Sequence, residues 1–129
     1  MKIKAAIVLA FALFSICPSI FAHHGNAAFD LTRFVTLKAT ITEFVWSNPH
    51  SQIYFDVTND KGQVIHWTCE TVQPALLHRA GWTRESLKPG DQVTIVAHPA
   101  KSGEPIAYLS GGKIILANGN ELKMDIPQS

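Results

Sequence analysis

Six histidines carry most of the donor chemistry of this 129-residue chain: His23, His24, His50, His66, His78 and His98. His23 and His24 are adjacent and follow a small residue, Ala22. If cleavage after Ala22 makes His23 the first residue, its free amine and its imidazole can close one small chelate ring on a metal. A third nitrogen from a distant histidine would complete a T-shaped site. Nitrogen donors of this kind suit Cu(II), which heads the affinity order among divalent first-row metals, and zinc is the second choice. An α-amine with pKa near 8 is partly deprotonated at neutral pH, and binding a metal completes the loss. His50 and His98 each stand beside a proline, in Asn48-Pro49-His50 and His98-Pro99, at the ends of expected strands. The mouth of a small barrel could gather them, so the expected metal set is His23, His24, His50 and His98. His50 has a plainer use as well, donating to a backbone carbonyl and fixing its turn. His66 and His78 read as surface residues.

Aromatic residues offer a second kind of chemistry. Trp46 and Trp82 flank turns and are candidates for binding a flat or apolar ligand, whereas Trp67 sits at an inward strand position and reads as core. Cys69 shares that inward parity and reads as a core thiol. Glu43 and Glu70 could form an acid pair, although they fall on different expected strands. No nucleophile elbow, phosphate-binding glycine loop or paired Cys-x-x-Cys spacing is visible. The expectation is therefore a binding module and not an enzyme.

These residues need elements to hold them. Lys2 and Lys4 precede an apolar run from Ala5 to Ile16, then Pro18 and Ala22, the layout of a secretory signal peptide over residues 1–22. Its apolar part is too short to span a bilayer as a helix, so no stable membrane insertion is expected after cleavage. The mature part then keeps nine basic side chains against ten acidic ones, a formal charge of −1. That is no footprint for nucleic acid. Residues 23–34 form a lead-in, 35–124 a single domain, and 125–129 a loose tail.

Within the domain the pattern alternates with period two. Val35, Leu37, Ala39 and Ile41 share a face, and the parity then moves to Phe44 and Trp46, as a bulge near Thr42-Glu43 would cause. Ile53, Phe55 and Val57 point inward in the next strand, and Ile65, Trp67 and Cys69 in the third. A helix is expected over Gln73–Gly81, with Pro74 in its first turn. Lys88-Pro89-Gly90-Asp91 turns into a strand through Val93, Ile95 and Ala97. Ile106–Leu109 and Lys113–Leu116 read as two strand pieces broken by Gly111-Gly112, and Asn118-Gly119 as a hairpin. Three strands, a helix and then further strands give a mainly β fold, a small, partly closed OB-like barrel of five to six strands, with a β-sandwich as the alternative.

The chain resembles an uncharacterised family of small exported bacterial proteins. The resemblance runs through His23-His24 with Phe29-Asp30, Thr42-Glu43-Phe44, Asn48-Pro49-His50, Trp67 with Glu70, Gly81-Trp82, Leu87-Lys88-Pro89-Gly90-Asp91 and His98-Pro99-Ala100. It implies export to the periplasm or beyond and a single domain, and it carries no activity or substrate. The expected function is copper binding through the processed N-terminal histidines. The alternative is a metal-free accessory domain that binds a periplasmic protein or small ligand through Trp46, His50 and Trp82.

Overall fold

A computed structural model describes residues 25–125. Six strands follow in order: β1 (Val35–Val45), β2 (Gln52–Thr58), β3 (Val64–Glu70), β4 (Gln92–Pro99), β5 (Ile106–Ile115) and β6 (Glu121–Lys123). One short helix, α1 (Pro74–Arg79), lies between β3 and β4. The sheet order is β3-β2-β1-β4-β5-β6, and a parallel pairing of β3 with β5 closes the first five strands into a barrel. The OB-like barrel expected from the sequence is thus present, and its closure is complete.

β1 makes the curl possible. Its first half pairs with β4, from Val35–Ala97 to Thr40–Gln92, and its second half with β2, from Thr40–Asp56 to Val45–Gln52. The register shifts between Ile41 and Glu43, where the change of parity placed a bulge. An extra residue there bends the strand and lets it serve both sides of the barrel. The Lys88–Asp91 turn steadies this point. Gly90 N–H donates to Ile41 O and Ile41 N–H to Asp91 O, each at 2.8 Å. Gly90 takes φ +91°, a left-handed value that a side chain would strain.

Two elements differ from expectation. Helix α1 ends at Arg79, short of the expected span, while Gly81 at φ +88° does serve as the glycine that terminates it, as its type suggests. β5 runs through Gly111-Gly112 as one strand, but its pairing with β4 shifts register there, between Tyr108–His98 and Lys113–Val96. Gly112 is used there for close approach, because a Cβ would collide with the Val96 carbonyl oxygen of β4.

The inward faces meet in one core that includes Ile41, Ile53, Phe55, Cys69, Ile95 and Leu109. α1 plugs it with Leu77. No helix among the described residues is long and apolar enough to cross a membrane.

The lead-in packs on the outer side of the barrel. Lys101 N–H donates to Ala28 O at 2.9 Å and Asp30 N–H to Pro99 O at 2.9 Å, while Phe29 bridges Ala100. The Phe29 ring stacks on Tyr108 of β5, with centroids 5.3 Å apart. The Asp30 carboxylate closes the next turn by accepting from Thr32 N–H, Thr32 Oγ1–H and Arg33 Nε–H.

Candidate functional site

The β1–β2 loop is zipped to the chain leaving β3, and this positions His50. Ser51 N–H donates to Val72 O at 2.9 Å, Thr71 N–H to Ser51 O at 3.0 Å and the buried Thr71 hydroxyl to Ser51 O at 3.0 Å. Ser47 Oγ–H donates to His50 O. His50 Nδ1 then lies 3.1 Å from Thr71 O and 3.4 Å from Glu70 Oε1. A carbonyl oxygen can only accept, so Nδ1 carries the proton and Nε2 is the free nitrogen. The backbone-donor use of His50 is therefore present, and it ties the Asn-Pro-His turn to the end of β3.

His98 is held in the same manner on another strand. Its Nδ1–H donates to Arg33 O at 2.7 Å and its ring stacks on Phe34 at 4.1 Å. It is 7% exposed. Neither Nε2 has a side-chain or backbone partner among the described residues, and no side-chain nitrogen or oxygen there is both buried and unpartnered.

The register relates the two histidines. Gln52 pairs with Glu70, Glu70 with Tyr108, and Tyr108 with His98. Directly paired residues share a face, so Glu70, Tyr108 and His98 form one outward row with His50 at the Glu70 end. Neighbouring strands are about 4.8 Å apart, which puts Glu70 and His98 roughly 10 Å from each other at the backbone. Tyr108 stands between them. Among the described residues no group of three or more His, Cys, Asp or Glu side chains could hold a metal. His23 and His24 lie outside the described residues, and a metal on this row would need donors from there.

The aromatic candidates separate. Trp46 is partly buried and meets Phe44 edge to face, with centroids 5.8 Å apart. Trp82 is 1% exposed and its indole N–H donates to Lys123 O at 3.0 Å. A ligand could reach that ring only if the core opened, so Trp82 is a core residue and not half of an aromatic surface. Trp67 packs against the core and stacks on Phe55. β2 runs between the strands of Glu43 and Glu70, so these acids do not form a pair. His66 is exposed and its Nδ1 bonds Asp56 Oδ1, its cross-strand neighbour.

Sequence reasoning did not assign Glu70 and Tyr108 to the site. Outward parity at the end of β3 was a usable signal for Glu70. Tyr108 is legible in the sequence only as an aromatic on a strand, and its link to the histidines arises from its two cross-strand neighbours.

A closed five-stranded barrel with its helix between the third and fourth strands defines an OB-like domain, here with an outer row of histidine, carboxylate and phenol. The chain belongs to a family described as "Family of unknown function (DUF6152)", which it matches over residues 11–108. No curated protein matches it. Among solved structures it is similar to a mitochondrial single-stranded DNA binding protein of S. cerevisiae, Rim1. The identity is 12% and the TM-score 0.46, over 64% of this chain and 93% of that one. The assignment of the fold rests on the strand order itself.

Proposed function

We propose that this is an exported bacterial protein of the periplasm or medium, cleaved after Ala22, that binds copper without turnover. The metal is held by the amine and imidazole of His23, by His24, and by one of the two anchored histidines, His50 or His98. Zinc is the second choice of metal. The observation that carries this reading is the docking of the lead-in. Phe29 stacks on Tyr108 of β5, and Ala28 accepts from Lys101 N–H in the turn between β4 and β5. The lead-in thus docks on Tyr108, which stands in the register between Glu70 and His98, and the Nδ1–H of both His50 and His98 is committed to a carbonyl. A ligating histidine usually has its other nitrogen fixed in this way. The alternative of a metal-free accessory surface loses Trp82 to the core and retains only Trp46 and His50. The balance of nine basic and ten acidic side chains favours no nucleic-acid partner.

The test is calorimetric titration of the processed protein with Cu(II), after mass spectrometry has established the N-terminus. A second version carries one extra Ala before His23. One-to-one binding that the extra residue weakens by about a hundredfold, about 2.7 kcal/mol, is the expected result. Weak binding that is indifferent to the added residue rejects the site.

A further inference from the structure

We propose that the barrel carries a groove for a short saccharide chain, where β1 passes between β2 and β4. This site does not depend on the copper reading and lies away from His50 and His98.

The groove measures about 590 Å³, inside the usual range of small-molecule sites, about 300–1,000 Å³. Three strands supply its polar side chains: Lys38 and Thr40 of β1, Asp56 and Thr58 of β2, and Gln92 and Thr94 of β4. The register gathers them. Thr40 pairs with Asp56 on one side and with Gln92 on the other, and Lys38 pairs with Thr94. Ile115 and Leu116 add apolar wall. A further cavity of about 260 Å³ shares Gln92 and Leu116 with the groove and continues to Asp91 and Asn118. The two join into one elongated depression, the form that suits a chain of rings.

Its polar groups are uncommitted. Among the described residues the side chains of Lys38, Thr40, Thr58, Gln92 and Thr94 make no hydrogen bond or ion pair. Asp56 is oriented by His66, which takes Oδ1 and leaves Oδ2 without a partner among the described residues. The three threonines are branched at Cβ and stiff at χ1. Their hydroxyls are therefore held in place by the sheet, with little ordering cost on binding.

The composition of the lining selects the ligand. No aromatic side chain lines the groove, so a nucleobase would find no ring to stack on. Lys38 is the single cation of the larger groove and Asp56 its single acid, so the charges balance and a polyphosphate gains little. Thr40 stands where β1 is paired on both edges, which leaves an extended peptide no ladder to join at the middle of the groove. A saccharide fits what remains. Its hydroxyls both donate and accept, and they meet hydroxyl, amide, carboxylate and ammonium groups. Its C–H faces meet Ile115 and Leu116.

The experiment is an NMR titration of the isotopically labelled protein, with a chelator present to exclude metal. The probes are maltotriose, cellotriose and chitotriose, with inorganic phosphate as the anionic control. At least one trisaccharide should move the signals of Lys38, Thr40, Gln92 and Thr94 with a Kd of about 1 mM or tighter. Phosphate should not move them. Thr40→Val and Thr94→Val each remove one hydroxyl and keep the branched shape, and each should weaken that binding about threefold to tenfold. Thr68→Val, in β3 and outside the groove, should leave it unchanged. The wild-type shift map decides the matter if a variant fails to fold. The inference is wrong if no trisaccharide moves the groove signals, if phosphate alone moves them, or if folded Thr40→Val and Thr94→Val proteins bind as wild type does.

Discussion

Cys69 is the one thiol among the described residues, and it lies between Ile53 of β2 and Ala107 of β5 in the register, with no exposed surface. Burial pushes the thiol far above its ordinary pKa, and the neighbouring Glu70 carboxylate acts in the same direction. The reactive form of cysteine is the thiolate, so this residue should be inert in the folded protein. Alkylation at pH 8 should leave Cys69 unmodified until denaturant unfolds the chain, as followed by intact mass. Modification of the native protein would contradict the packing. Period-two alternation made Cys69 legible as core because the whole of β3 obeys it. Trp82 was not legible in that way. It sits in a turn, where no periodicity indicates direction, and the carbonyl that receives its N–H belongs to Lys123 on β6. The same limit hid the partner of His50, since Glu70 approaches it only once β2 and β3 have paired.

At the scale of elements, β5 shows how a glycine pair can mark an irregularity in the ladder without ending the strand. Gly111-Gly112 looks like a break because glycine disfavours strands. Its purpose depends on β4, whose Val96 carbonyl occupies the place of the missing Cβ. Gly112→Ala should therefore destabilise the protein by about 1–3 kcal/mol or more, through overpacking against backbone that cannot yield. Gly111→Ala meets only the cost of a left-handed residue at φ +70°, about 1–2 kcal/mol. Urea unfolding of the two variants should rank them in that order. The bulge of β1, in contrast, was readable because a change of parity within one strand is a local signal. The turn that braces it was readable as a turn. That it bonds to Ile41 was not, because the two segments are far apart in the chain.

At the scale of the molecule, the described residues share one core, and Trp46, Trp67 and Trp82 all pack into or against it. Unfolding should therefore be a single cooperative event, with fluorescence and far-UV circular dichroism giving coincident urea curves. Separate midpoints would mean that one part of the barrel opens independently. The order of elements, three strands, a helix and then more strands, was enough to suggest the architecture. Closure was beyond local reading, since it depends on β3 and β5 meeting in parallel.

The two-sided pairing of β1 also imposes a timetable. Its second half finds its partner at once in β2, across a short hairpin. Its first half must wait for β4, which follows the whole of β3 and α1. In a chain that emerges N-terminus first, Val35 to Ala39 stay an open strand edge until most of the domain has been delivered. That interval is when the nascent protein is most exposed to pairing with the wrong strand. It closes with the arrival of the Lys88–Asp91 turn, which lands on Ile41 and brings β4 alongside.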